Sequence, residues 1–399
     1  MRSVRAGFLP LLDSAILVVA KERGFAAAEG IELSLTKETS WANVRDRLCV
    51  GQFDVAHMLA PLPIAQNLGL MPLKTELVVP FALGLGGNAI TVSSEIGAAM
   101  GHFGFDQNAG PAAAGKALLR VVQAHAAQGK PQLKFAVVHA FSSHAYELRY
   151  WFAACGLVPD KDVSITVVPP SLLPDALAAR EIDGFCAGEP WSSVAGQRSQ
   201  GVIITTKSQI WRSSPEKVLA ARKAWSEQER DTLHVLLRAL HRSAQWCADP
   251  ENFGELASLL SGPRYLDVAP EIIHASLHGR LPGRPPEPDF VMFFDRAANF
   301  PWQSHALWFF SQMLRWREAG FSVEALEDAR MTYRPDIYRA ALGAIGAKLP
   351  GASSKVEGAL TETQPMPALN GPLAMGPDGF FDGRIFDPAQ IRAYLDALP

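Results

Sequence analysis

Charge is scarce in this sequence. Asp, Glu, Lys and Arg together make 19% of the 399 residues and nearly cancel, leaving a formal net charge of -3. No basic excess exists to hold a nucleic acid or an anionic membrane, so any anion site has to be local. Cysteine is scarcer still. Cys49, Cys155, Cys186 and Cys247 lie far apart with no CxxC pair, which argues against a dense disulfide framework and against the common zinc-site spacing. No run of about 18 apolar residues without charge occurs, so no helix is expected to span a membrane. Signatures of catalysis are missing as well: there is no GxSxG elbow, no GxGxxG or GxxxxGK[ST] loop and no HExxH pair. "GLGGNAI" (84–90) comes nearest, but it precedes a strand where a dinucleotide fingerprint follows one, and it reads as a hinge or a close-packing loop. His139 and His144 are split by a strand-to-helix turn, which does not suit a metal pair. Neither a metal, a cofactor nor an enzyme is expected.

What the sequence does have is 48% apolar residues arranged in alternating strand and helix patterns. Residues 4–8, 31–35, 54–59, 88–94, 134–140, 163–170 and 184–191 read as strands. Residues 14–24, 41–50, 112–128 and 144–156 read as helices between them. Such alternation implies parallel sheets with helical crossovers. The stretch "GVIITTKSQIW" (201–211) reads as a further strand that returns to the first lobe. From about 215 to 345 the pattern is mostly helical, and the last fifty or so residues, rich in Pro and Gly, read as a wrapping tail with a short helix near 388–397. The expected architecture is therefore α/β with two lobes and a cleft. Residues 1–90 and about 200–399 form the first lobe with its helical C-terminal part, and about 91–199 form the second.

Ligands of open parallel sheets sit outside the carboxyl ends of the strands. The loops there include "LPLLDSA", "TKETSW", "GLGGN", "HAFSSH", "GEPW" and "SSPEK". In "KETSWANVRDRLCV" a tryptophan, Trp41, stands at a helix start capped by Ser40, where free N–H groups and the positive dipole end collect. Asn88 offers an amide. His144 opens a helix after two serines, and Lys217 in "SSPEKVL" reads as lying in the first turn of a helix, the disfavoured end for a cation. Taken singly, each has a plainer reading: a lid over the core, a turn residue, a cap, a solvated lysine. All four, however, fall in loops expected to face one cleft. Together they offer what a small anion needs: N–H donors, positive charge and a dry wall.

These segments resemble the nitrate-binding proteins related to the solute receptors of nitrate and bicarbonate ABC transporters. The blocks "FLPLLDSAILVVAKERGF", "GGNAITVS", "HAYELRYWFAACGLVPDKDV", "IDGFCAGEPW", "SSPEKVLAAR", "AANFPWQSHALWFF" and "FFDGRIFDPAQIRAYL" follow the family's order along nearly the whole chain. The resemblance implies a periplasmic-binding-protein-like (type II) fold with a helical C-terminal extension. It also implies a nitrate site made of Trp41, Asn88, His144 and Lys217. Many members have a glutamine, in "NGQAI", where this chain has Asn88, one methylene shorter, and that difference bears on nitrate against nitrite.

The family divides by cell address. The N-terminus "MRSVRAGFLPLLDSAILVVA" begins like a secretory signal, but Pro10 and Asp13 interrupt it, and cutting there would delete the first strand. By resemblance the chain is then expected in the cytoplasm, in a branch that senses nitrate and nitrite. That branch sequesters an ANTAR-type RNA-binding antiterminator until the anion releases it, and it touches neither nucleic acid nor membrane itself. The alternative is the solute-binding component of a nitrate or bicarbonate ABC transporter.

Overall fold

The computed structural model describes all 399 residues. Two five-stranded sheets carry the two lobes. The first contains β1 (Arg2–Phe8), β2 (Ile31–Lys37), β3 (Val55–Leu59) and β4 (Leu77–Ala82). After a two-residue strand β5 (Leu85–Gly86), the second sheet contains β6 (Asn88–Ser93), β7 (Leu133–Val137), β8 (Val163–Val167), β9 (Gly184–Gly188) and β10 (Gly201–Thr206). β11 (Lys217–Arg222) then returns to the first sheet. The spatial orders are β2-β1-β3-β11-β4 and β10-β6-β9-β7-β8.

The strand patterns explain the layering. β1 alternates exposed Arg2, Ser3 and Arg5 with buried Val4 and Ala6 before sinking into the core. β3, β4 and β9 are buried at every position, as strands covered by helices on both faces must be. β1 pairs in parallel with β2 and β3, and β7 with β8 and β9, so helices such as Trp41–Cys49 and Ser143–Ala154 serve as crossovers.

Two expectations from sequence need correcting. The strand over 201–206 does not return to the first lobe. It pairs antiparallel with β6 in the second sheet, and Asn88 itself opens a strand of that sheet. The chain therefore passes between lobes at 83–87 and at 207–216. The second correction concerns Lys217. It is not in a helix but opens β11, which is antiparallel to both β3 and β4 and fills the gap between them. Without β11 those two buried strands would each face the gap with unpaired N–H and C=O groups, a cost that outweighs the helical look of Ser-Pro-Glu-Lys.

The C-terminal part straddles both lobes. Helix Arg230–Ala248 packs on helices Ala15–Glu22 and Pro335–Gly343 of the first lobe. Helix Gln303–Arg315 meets the second-lobe helix Ser143–Ala154 through Tyr146 against Phe309 and Tyr150 against Trp308. The tail adds Phe380, stacked on Trp211 with ring centroids 4.6 Å apart, and closes with helix Ile391–Asp396. The tryptophans of this part serve mainly the core: Trp302 and Trp308 are buried. No helix is long and apolar enough to cross a membrane.

Candidate functional site

The four residues singled out by sequence meet between the two sheets, and all are buried to within 1%. Trp41 is the first residue of its helix. Ser40 precedes it with extended backbone, and the Ser40 hydroxyl accepts the N–H of Asn43 at 3.3 Å. The cap turns the indole inward, where it stands edge-on to His57, with ring centroids 5.2 Å apart. The ammonium of Lys217 lies 5.4 Å from the indole centroid, within cation–π range. His144 is the second residue of a helix whose cap, Ser142, accepts the N–H of Ala145 at 3.0 Å. Asn88 reaches the same place from the start of β6.

The structure also brings in residues the sequence reading passed over. Glu216 is the hub. Its carboxylate accepts from the amide of Asn88 at 2.7 Å, and from the Ser143 hydroxyl and the ammoniums of Lys207 and Lys217. His144 Nε2 stands 3.3 Å from Glu216 Oε1. Asp13 takes a second bond from Lys217 at 2.9 Å and faces His57 Nε2 at 2.8 Å. Lys207 also donates to the Pro215 carbonyl at 2.6 Å and has Glu147 Oε1 2.9 Å away. Within the site, Trp41 Nε1 and both ring nitrogens of His144 make no hydrogen bond.

Burial would push both Asp13 and Glu216 upward. Lys217 and His57 more than reverse that for Asp13, and His144, Lys207 and Lys217 do so for Glu216, so both stay ionised below the usual carboxyl range. Burial pushes His144 down to about 3, against the pull of Glu216. Its ring is therefore neutral at pH 7, offers an N–H rather than a charge, and leaves the two lysines to hold Glu216 ionised. Burial likewise lowers His57 despite Asp13 beside it. Burial raises Glu147 to about 8 even with Lys207 adjacent, so at pH 7 it is neutral. The buried charges then balance: ammoniums at Lys207 and Lys217, carboxylates at Asp13 and Glu216.

Glu147 gives a stability prediction. Its folded value of about 8 lies above the ordinary 4.5. Between those two values the unfolded chain ionises while the folded one resists, so this group destabilises the fold increasingly as pH rises through that window. Glu147→Gln removes the titration. It should stabilise the protein by on the order of 3 kcal/mol at pH 8 and by little at pH 5. Urea denaturation at the two pH values measures this, and an equal effect at both would contradict it.

No group of three or more His, Cys, Asp or Glu side chains is arranged to hold a metal ion. The arrangement is suited instead to holding a small acceptor-only ion: two ammoniums, an amide, an imidazole and an indole, all withdrawn from water, where hydrogen bonds to charge are strong.

Comparison with known proteins gives the family and the fold. A profile of the NMT1-like family matches residues 1–261. The chain is 30% identical over 412 residues to the nitrate/nitrite binding protein NrtA of Synechococcus elongatus, covering 100% of this chain and 86% of that one. It is 31% identical over 401 residues to the bicarbonate transport ATP-binding protein CmpC of the same organism, covering 100% of this chain and 55% of that protein. The crystal structure of the periplasmic nitrate-binding protein NrtA from Synechocystis PCC 6803 superposes with a TM-score of 0.86 at 27% identity, over 100% of this chain and 99% of that one. The two-lobe architecture is thus that of the periplasmic binding proteins, as the sequence led one to expect. The relatives matched over most of their own length are named as binding proteins, not enzymes. With a family profile spanning well over half of its length, the chain belongs to the NMT1-like family and is a homologue of nitrate- and bicarbonate-binding proteins of transport systems.

Proposed function

We propose that this protein is a receptor for a small planar oxyanion, with nitrate as its ligand, in the manner of the solute-binding component of a nitrate or bicarbonate transporter. The observation that carries the reading is the meeting, between two lobes, of Lys217 with the buried, unpartnered N–H groups of Trp41 and His144. Nitrate is flat and only accepts hydrogen bonds. The indole gives it a wall and one donor, His144 and Asn88 give others, and Lys217 gives the charge. Because the donors come from both lobes, the ion favours the closed arrangement, and that difference in affinity is what couples binding to lobe closure.

Calorimetric titration with nitrate, nitrite and hydrogencarbonate tests this. Saturable one-to-one binding of nitrate is expected, and no heat with any of the three ions would end the proposal. Trp41→Phe keeps a flat ring but removes Nε1–H. It should weaken nitrate binding about tenfold or more, the usual value of a hydrogen bond to a charged group, with little change in thermal stability. Unchanged affinity in that variant would take the indole out of the site.

The finer reading, a cytoplasmic sensor that releases an ANTAR-type antiterminator when nitrate or nitrite binds, shares this binding step. Its support is the resemblance of the sequence alone, whereas the receptor reading has named relatives behind it. A pull-down of the antiterminator with and without nitrate separates the two: capture that nitrate abolishes favours the sensor.

A further inference from the structure

Three of the four groups that should receive an incoming anion already face a carboxylate. Asn88 donates to Glu216 Oε2 at 2.7 Å, Lys217 donates to Glu216 Oε1, and His144 Nε2 lies 3.3 Å from that same oxygen. Glu216 is 1% exposed and sits immediately before Lys217 on the second interlobe crossover. A carboxylate has the same planar, delocalised pair of oxygens that nitrate presents. The two oxygens of Glu216 are not equivalent. Oε1 faces Lys217 and His144, whereas Oε2 faces Lys207 and Ser143 as well as Asn88. One oxygen of the carboxylate therefore lies on Lys217 and His144 of the proposed nitrate site, and the other is shared between Asn88 of that site and Lys207 and Ser143, which the site does not need.

We propose that Glu216 is a built-in competitor of this site, an internal anion whose carboxylate occupies the donors that the bound oxyanion takes. Resting on the receptor reading above, this makes binding an exchange. The ion takes Lys217, His144 and one N–H of Asn88. Glu216 withdraws toward Lys207 and Ser143, which keep it neutralised. A tethered group competes at a high effective concentration, so Glu216 lowers the apparent affinity and sets a threshold of ion concentration below which the site stays with its own carboxylate. Charge argues the same way. The ammoniums of Lys207 and Lys217 are already balanced by Asp13 and Glu216, so a bound monoanion adds one uncompensated negative charge. With glutamine at 216 the same ion closes the balance to zero. Because Glu216 lies on a crossover between lobes, its movement is also placed to report occupancy to the hinge.

The test is calorimetric titration of wild-type protein and Glu216→Gln with sodium nitrate, with thermal denaturation confirming that the variant folds. Nitrate binding at least tenfold tighter in the folded variant is the expected result. Equal or weaker binding there, beside measurable binding by wild type, overturns the competitor role and leaves the receptor reading intact. Absence of binding by both proteins to nitrate, nitrite and hydrogencarbonate overturns both. Should the variant not fold, infrared difference spectra of wild-type protein carrying 13C-labelled glutamate decide the matter. Nitrate should shift a labelled carboxylate band as Glu216 changes partners, and an unshifted band on saturation overturns the exchange.

Discussion

Lys217→Met is expected to lower stability by about 3–5 kcal/mol at pH 7, because removing one member of a buried charge network strands the others. The methionine fills much of the same space along β11 but leaves Asp13 with no cation. Asp13 would then have only His57, which burial keeps from protonating, and Glu216 would keep Lys207 alone. The sign of the pH dependence distinguishes this from a packing defect. In the wild type, Asp13 and Glu216 titrate below their ordinary values. The stability they contribute is present above the usual carboxyl range and is lost as pH falls through the lowered folded values. In the variant the burial of Asp13 is no longer offset, its folded value rises, and protonation on going from pH 7 to pH 5 relieves the cost. The gap between variant and wild type should therefore narrow at pH 5. Urea denaturation at both pH values measures this. A gap that is constant with pH indicates lost packing instead. In the same variant nitrate affinity should fall at least tenfold, and a folded protein that still binds as tightly as wild type would remove Lys217 from the site.

The positions of Trp41 and His144 were legible because each announces itself locally. Ser40 before Trp41 is a cap followed by a misplaced aromatic, and Ser142 before His144 repeats the cap with an imidazole. Strand and helix patterns placed both at the carboxyl side of a sheet. What stayed hidden is nonlocal. Residues 213–217, "SSPEK", carry the local marks of a helix start: serine, proline and an acidic side chain in sequence. Only the gap between β3 and β4 makes Lys217–Arg222 a strand, and that gap is a property of segments well over a hundred residues upstream. The strand over 201–206 likewise has no local mark saying which sheet it joins. Glu216 was passed over for a different reason. A search for an anion site looks for donors and cations, so an acidic residue counts against it. Asp13 and Lys207 followed, because the sense of each depends on Glu216 lying between them. His57, inside the buried strand β3, reads as one apolar-strand position among several.

Gly86→Ala should cost about 3–5 kcal/mol and weaken anion binding as well, from a position that carries no side chain. Gly86 has φ +74°, a region where a non-glycine residue costs roughly 1–2 kcal/mol. A Cβ there would also stand 2.2 Å from the Phe290 carbonyl oxygen, a backbone atom that cannot swing aside. The segment is held tightly on several sides. β5 pairs antiparallel with Val291–Met292, the N–H of Gly86 donates to the Ser214 carbonyl at 3.0 Å, and the N–H of Gly87 donates to the Phe290 carbonyl at 2.6 Å. Leu83 N–H bonds the carbonyl of Lys217 at 2.8 Å, and Glu189 N–H bonds that of Gly87 at 2.9 Å. Relief of the clash must therefore move the first crossover away from Phe290 and disturb its hydrogen bonds to Ser214 and Lys217 of the second. One leads directly into Asn88 and the other into Glu216 and Lys217, so the donors of the site lose their register. Gly69→Ala is the matched control. Gly69 has nearly the same φ, +72°, but a Cβ there meets nothing within 4 Å. It should lose only the conformational part, about 1–2 kcal/mol, and bind nitrate as wild type does. Urea denaturation and nitrate calorimetry on both variants give the comparison. Equal losses in the two would mean that the close approach of the crossover to Phe290 contributes nothing, and that the site does not depend on how the lobes are joined.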